Sequence, residues 1–263
     1  MIATAHVIGM GRLGRHLADR LETIGVNIQR WSRAADERVL SMEDWTGHAA
    51  ADAIFLAVPD DALPAVAARV AEGLQESTLL VHHAGAVPAD VLPVTDHQRA
   101  VMWPPMTFGH GTTPDWNTLP LGVEADRPDI LEWATRLAPR AFPLTSGSRR
   151  ALHLCAVLAG NLTAAWIGMV EEYLGQSDLD IAILEPLIVE SVHKALEGNA
   201  LDTVSGPASR NDRQTLEGQM EALASAPGST PELTTLHHIL TNRILQAHGH
   251  PELPPIQAAP RGH

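Results

Sequence analysis

The first fourteen residues constrain the fold more than any other stretch of the chain. An apolar run, Ala5-His6-Val7-Ile8, leads directly into Gly9-Met10-Gly11-Arg12-Leu13-Gly14, and an amphipathic segment follows to about Ile24. The pattern G-x-G-x-x-G says little by itself in a chain with 20 glycines. Its place between a predicted strand and a predicted helix gives it weight. In that setting Gly9 permits the tight turn, Gly11 lets the backbone approach a pyrophosphate, and Gly14 allows the helix to pack closely on the strand. The helix N-terminus then offers free N–H groups and the positive end of its dipole to the phosphates. A Gly-rich turn without a ligand is the alternative reading.

The rest of the first half repeats the same rhythm. Val26-Asn27-Ile28-Gln29-Arg30-Trp31 reads as a second strand, and Ala53-Ile54-Phe55-Leu56-Ala57-Val58 as a buried one ended by Pro59. Asp60-Asp61 is expected to cap a helix running to about Leu74. Thr78–Val81, Arg99–Met102 and, more weakly, Leu119–Val123 read as further strands. Alternating strands and helices imply a doubly wound, mostly parallel sheet. Near Ser146-Gly147-Ser148 the strands stop and helical periodicity takes over, with helices expected over about 150–174, 181–196 and 212–224. A last helix opens with Thr230 as N-cap and Pro231 in its first turn. The expected organisation is a dinucleotide-binding α/β domain over 1–147, an all-α domain over 148–249 and a flexible Pro-rich tail over 250–263.

The end of the second strand bears on which dinucleotide fits. A site for NAD usually places Asp or Glu there to bind the ribose 2′-hydroxyl. This chain has Arg30-Trp31-Ser32-Arg33. A guanidinium and a hydroxyl, here Arg33 and Ser32, suit a 2′-phosphate, while Trp31 or an arginine could stack on adenine. An ordinary solvated basic loop is the alternative. NADP(H) is therefore the expected cofactor, with Val58, Pro59 and Asp60 meeting it at the end of the buried strand. Asp60 also reads as a simple helix cap.

Composition narrows the partners. The formal net charge of −13 repels phosphate backbones, which argues against nucleic acid and anionic membrane. Hydrophobic residues make up 45% of the chain but aromatics only 4%, so the core must be mostly aliphatic. Cys155 is the single cysteine, which fits a reducing, cytoplasmic setting, and its apolar surroundings suggest an inert core thiol. The N-terminus lacks the basic region of a signal peptide, and no stretch is expected to span a membrane. His237 and His238 are adjacent and His248, His250 and His263 lie toward the tail, so no metal site is expected.

Several segments together resemble a family of Rossmann-like oxidoreductases related to pyrroline-5-carboxylate reductase and 6-phosphogluconate dehydrogenase. Their helical second domain is catalogued largely as a domain of unknown function. Val58-Pro59-Asp60-Asp61 is similar to the family's V-P-D-D motif, His82-His83-Ala84-Gly85-Ala86 to its H-x-S-G-A segment, and Pro104-Pro105-Met106-Thr107-Phe108 to its H-P-x-x-T-F segment. Arg150-Ala151-Leu152-His153, with Ala156 and Asn161, resembles its R-A-x-x-H-x-A…N helix, shortened by one residue or shifted. Ser205-Gly206-Pro207-Ala208-Ser209-Arg210-Asn211-Asp212, followed by Thr215, is similar to T-G-P-x-x-R-G-D-x-x-T. Two positions depart from the pattern: the family serine is Ala84 here, and the histidine before the proline is Trp103. Both stand at carboxyl ends of strands, where open α/β sheets bind ligands, so the substrate pocket is expected to be more apolar than the family pattern. Asn211 for Gly is a mild change, since Asn tolerates left-handed backbone.

The resemblance implies reduction of a small carbonyl or imine in a cleft between the two domains. In related dehydrogenases the corresponding helix carries the proton donor. His153 is accordingly the acid/base candidate and Asn161 a hydrogen-bonding partner, about 80° apart around an ideal helix. A core or interface histidine is the plainer reading of His153. His82 is a second acid/base candidate. Arg210 would clamp a substrate carboxylate or, alternatively, fix its own loop to Asp212. A different class of reading is a non-catalytic NADP(H)-binding regulatory or interaction protein, which the apolar Ala84 and Trp103 favour. The long Ala- and Leu-rich helical faces predict a homodimer through the helical domain.

Overall fold

The computed structural model describes residues 2–46, 50–95, 98–109 and 114–255. Apolar alternation in the first half produces β1 (Thr4–Ile8), β2 (Asn27–Ser32), β3 (Val39–Ser41), β4 (Ala53–Leu56), β5 (Leu79–His82), β6 (Arg99–Trp103), β7 (Pro120–Ala125) and β8 (Arg140–Pro143). They form a single sheet in the order β3-β2-β1-β4-β5-β6-β7-β8. Every neighbouring pair is parallel except β6 and β7, which run antiparallel with Met102 opposite Val123. The doubly wound, mostly parallel sheet expected from the sequence is therefore present.

Successive strand residues point to opposite faces, and the core divides accordingly. Val7, Phe55, Val81 and Met102 pack beneath α1 (Arg12–Thr23) and α3 (Pro128–Leu137). Ile8, Ile54, Leu56 and Leu80 face the other way, with Trp31, Trp45 and Leu63 of α2 (Leu63–Ala71). Phe55 and Ile54 are wholly inaccessible; each such side chain contributes about 1.5–3 kcal/mol through burial.

The structure corrects several local expectations. Asp60 and Asp61 do not cap α2. The helix begins at Leu63 after Ala62, which offers no side-chain cap, and Pro64 in the first turn stands where a free N–H would otherwise need a partner. Trp31 cannot stack on adenine: it is 7% exposed and its Nε1 donates to His6 Nδ1 at 3.0 Å.

The chain divides into two compact units, Met1–Ala159 and Gly160–His263. The division falls within a helix rather than at 147/148, because α4 (Ser146–Ala156) is tied by Arg149 to residues of the sheet domain. Thr145 opens that helix with a reciprocal cap to Ser148. Val157–Asn161 forms a π-helical turn and α5 (Leu162–Gly175) continues, giving 30 unbroken helical residues from Ser146 to Gly175.

That continuity yields one helix whose length and composition membrane spans share with the core helices of other proteins. By length and composition Ser146–Gly175 could cross a membrane, with an 18-residue window of mean hydropathy 1.5 that the chain itself does not bury. Cys155 shares this exposure instead of lying in the core.

The second unit adds α6 (Glu185–Glu197), α7 (Ala200–Thr203), α8 (Arg213–Ser225) and α9 (Pro231–Ala247). Its small core gathers Ala208, Leu216, Leu245 and Leu253. The segment after Gly249, expected to be loose, is held as far as Pro255 can be followed. Leu253 is buried and its N–H donates to Asn242 Oδ1 at 2.7 Å, while Arg213 donates to the carbonyls of Pro251 and Glu252. Residues 256–263 lie outside the described part.

Candidate active site

Parallel strands present their carboxyl ends along one edge, and β1, β4, β5 and β6 are neighbours there. The Gly9–Gly14 turn closes β1. Gly9 takes a left-handed φ of 100°, and its N–H donates to the Trp31 carbonyl at 2.8 Å. A Cβ on Gly14 would overlap the Gly9 carbonyl, and one on Gly9 would overlap the Ala57 carbonyl. Side chains are thus excluded where helix, turn and β4 meet. A Cβ on Gly11 would meet nothing within 4 Å, which leaves that backbone open to a ligand. Gly11 is also the N-cap of α1, whose first turn carries no acid and begins with exposed Arg12. Leu13 packs inward and Met10 flanks the core, its carbonyl accepting from Arg15 Nε at 3.0 Å. Such a cradle fits a pyrophosphate.

At the end of β2 the basic residues separate into two roles. Arg30 is committed to the α1 surface, pairing with Glu22 at 2.6 Å and Asp19 at 3.0 Å. Ser32 ends the strand half-buried, and Arg33 follows it exposed. The residues that follow directly are Ala34 and Ala35, so the chain places no acid immediately after Ser32 and Arg33. Val58 is half-buried after β4, with Pro59 and Asp60 exposed beyond it.

Further along the same edge, β5 delivers His82, His83, Ala84 and Gly85, and β6 delivers Trp103. His83 Nδ1 donates to the Met102 carbonyl at 2.6 Å, and burial pushes its pKa down to about 4. His82 is wholly buried and accepts the Ala84 N–H on Nδ1 at 3.2 Å. Burial first, then the charges of His83 and Arg149, push its pKa down to about 3. Both rings stay neutral near pH 7 and serve to organise the turn after β5. His82 is therefore without the solvent access expected of an acid/base group.

His153 is placed differently. It is half-buried on α4, edge-on to the Trp103 indole with ring centroids 5.5 Å apart. Its Nδ1 is buried without a hydrogen-bond partner and faces Gly85, where a Cβ would overlap it and come within 2.8 Å of Trp103 Nε1. Gly85, Trp103 and His153 thus form one contact group at the carboxyl ends of β5 and β6. At about 4.8 Å per strand, that group lies roughly 10–14 Å along the edge from the glycine turn. With Nδ1 sealed, only Nε2 can meet a substrate.

Asn161 and Arg210 belong to the second unit and are both exposed. The π-helical turn between His153 and Asn161 means that ideal α-helical counting does not fix their relative direction. Around Arg210, Asp212 caps α8 through Thr215 and Asn211 adopts a left-handed φ of 57°. The residue that anchors this loop is the neighbour Arg213, which donates to Asn211 Oδ1 at 2.7 Å and to the chain after α9.

The sequence reading passed over Arg149. It took Arg150, which is exposed, as the family arginine, whereas Arg149 is completely buried. Two signals pointed to it. Arg149 lies one helical turn before His153, and Glu124 is the one charged residue of an otherwise apolar strand. A cavity of about 440 Å³ opens elsewhere, at the amino ends of β4 and β5 beside Asp52, Leu79 and Trp133. It is remote from the strand ends that carry this chemistry.

Residues 119–244 match the family model described as a domain of unknown function, DUF2520. Just under half of the chain is therefore similar to that domain, on a Rossmann-like scaffold. The matched segment begins just before β7 and ends within α9, so it takes in β7 and β8 as well as most of the helical unit. A Bacteroides fragilis structure provisionally described as an NADP oxidoreductase is 26% identical, covering 93% of this chain and 98% of its own, with a TM-score of 0.78. The Aspergillus terreus reductive aminase, solved with NADPH and ethyl 5-oxohexanoate, is 14% identical over 95% of this chain and 97% of its own, with a TM-score of 0.65. Plasmodium falciparum pyrroline carboxylate reductase, solved with NADP bound, is 12% identical over 94% and 98%, with a TM-score of 0.56. At those identities the last two share the fold with this chain. No curated protein matches its sequence significantly.

Proposed function

We propose that this chain is an NADP(H)-dependent oxidoreductase that reduces a small carbonyl or imine. The observation that carries the reading is the glycine turn, with its open Gly11 backbone, on the same sheet edge as His153. Gly9, Gly11, Gly14 and the start of α1 would hold the pyrophosphate, and Ser32 with Arg33 the 2′-phosphate. Val58, Pro59 and Asp60 would line the path between the two ends of the cofactor. Hydride comes from the bound nicotinamide. His153 donates a proton from Nε2 to the substrate oxygen or nitrogen as the carbon accepts hydride, so a ketone leaves as an alcohol and an imine as an amine. Ala84 and Trp103 supply an apolar wall, which suits a substrate with a hydrocarbon body. The NADP(H) oxidoreductases and ligands named for the structural neighbours agree with this chemistry.

Calorimetric binding tests it. NADPH is expected to bind more tightly than NADH, and Arg33→Ala to weaken NADPH about ten- to a hundredfold while leaving NADH unaffected. That is the loss of a charge-assisted hydrogen bond worth about 1.5–3 kcal/mol. If neither nucleotide binds, the enzyme reading fails. Tight NADPH binding without oxidation by any ketone or imine points to the regulatory alternative.

We further propose that the exposed apolar face is covered by a second copy of the chain. Leu158, Leu162 and Leu187 stand 53%, 52% and 62% exposed, too much apolar surface for one copy to leave in water. Light scattering at micromolar concentration should give a dimer, and the double variant Leu158→Asp/Leu162→Asp a monomer. A wild-type monomer at that concentration sinks the idea.

A further inference from the structure

Arg149 is the one charged side chain among the described residues with no exposed surface. A guanidinium without water must be paired and hydrogen-bonded or it destabilises the fold. Its Nε donates to Glu124 Oε2 at 2.7 Å, and its Nη1 donates to two successive carbonyls, Ala84 at 3.1 Å and Gly85 at 2.7 Å. Glu124 is fixed in turn by Ser146 at the start of α4. One side chain therefore ties β7, the turn after β5 and the first turns of α4.

That turn is where His153 rests. Gly85 faces both His153 Nδ1 and the Trp103 indole, at a distance that admits no Cβ. Rotation of the Ala84–Gly85 peptides would close that space or open a gap beneath the ring. Arg149 and His153 are also four residues apart, so they project from one side of α4. The guanidinium grips the turn from below while the imidazole sits against it one helical turn on. A purely structural salt bridge needs only Glu124. The fork onto the two carbonyls beneath the imidazole is what bears on catalysis.

We propose that Arg149 is a positioning residue for His153: by holding the Ala84 and Gly85 carbonyls against Glu124, it sets the seat on which the imidazole and the Trp103 indole pack. The proposal rests on the reading of His153 as proton donor only for its effect on turnover.

The test compares wild type with Arg149→Lys and with the double variant Arg149→Met/Glu124→Gln, all as full chains. The double variant removes both charges together, so no unpaired ion is left inside. Arg149→Lys keeps the charge facing Glu124 but loses the planar fork. Thermal melting and NADPH affinity report the fold and the cofactor site. The histidine ring signals in NMR report the seat, with the His153 resonances identified by their absence from His153→Ala. Turnover is followed by NADPH absorbance with ethyl 5-oxohexanoate and a simple primary amine.

In both variants, melting should stay cooperative and NADPH affinity unchanged, while the His153 signals shift or broaden. The kcat should fall roughly ten- to a hundredfold with KM little altered, the loss expected for a displacement on the order of 1 Å. His153 signals and turnover that match wild type in the double variant would overturn the proposal. Should the double variant not fold, Arg149→Lys decides it by the same signals. Shifted His153 signals with turnover unchanged would uphold Arg149 as the positioning group and overturn His153 as the proton donor.

Discussion

Replacing His153 with alanine should lower NADPH-dependent reduction about 10²–10⁴-fold, the contribution of a well-placed general acid, while NADPH binds as before. The separation of the two effects follows from the layout of the sheet edge. The proposed nucleotide cradle lies at the β1 turn and the end of β2, whereas His153 stands against the ends of β5 and β6. Its ring is half-buried, so truncation removes modest packing and the fold should persist. His82→Ala provides the contrast. That ring is wholly buried, neutral near pH 7 and bonded to the turn, so its loss should appear first as a lower melting temperature. The measurement is NADPH oxidation with the carbonyl and amine probe, read beside calorimetric NADPH affinity. Full activity in His153→Ala would remove the proton-donor role outright. A substrate whose own protonation precedes hydride transfer would show a smaller loss that grows as pH rises.

Much of this arrangement was legible before any coordinates. The glycine turn and the parallel strands were written in local patterns, because Val7, Phe55, Val81 and Met102 are buried on strands of the expected period. The left-handed conformation tolerated at Asn211 was equally legible, and the structure gives it φ 57°. Helix α3 was missed although its signal is plain: Pro128 opens it, and Ile130, Trp133, Ala134 and Leu137 recur on one face. Strand β8 offered little to read, being four residues that begin with an arginine and end with a proline at the sheet's edge. The helix from Ser146 to Gly175 nearly matches the expected 150–174, but the apolar neighbours of Cys155 do not reveal that its side of the helix is exposed.

Arg149 shows where reading by residue type fails on principle. Arginine is among the residues least often fully buried, so of two adjacent arginines residue type alone does not choose the one that vanishes inside, and only the spacing to His153 and the lone acid of β7 hint at it. Only the three-dimensional meeting of β7, the β5 turn and α4 settles it, and no local pattern encodes that meeting. Two readings nonetheless converged on the same helix. The resemblance singled out His153, and the geometry adds its neighbour one turn earlier.

Removing the Glu124 carboxylate alone should cost more stability than any surface change in the chain. Glu124→Ala leaves Arg149 fully buried, still charged, and supported by two carbonyls only. One guanidinium nitrogen, Nη2, already has no partner, so the loss of Glu124 leaves a second donor, Nε, without its acceptor. Breaking a buried pair from one side typically costs about 3–5 kcal/mol, which in a chain of this size lowers the melting temperature by about 10 °C. The Arg127–Asp129 pair is the control. Its side chains are 41% and 57% exposed, and exposed pairs are worth about 0–1 kcal/mol, so Asp129→Ala should melt nearly as wild type does. Joining Glu124→Gln to Arg149→Met should recover much of the loss, because the uncompensated charge, not the missing contact, is what destabilises the single variant. Equal melting of Glu124→Ala and Asp129→Ala would mean that water reaches the Arg149 guanidinium, through the 15% of Glu124 that is exposed.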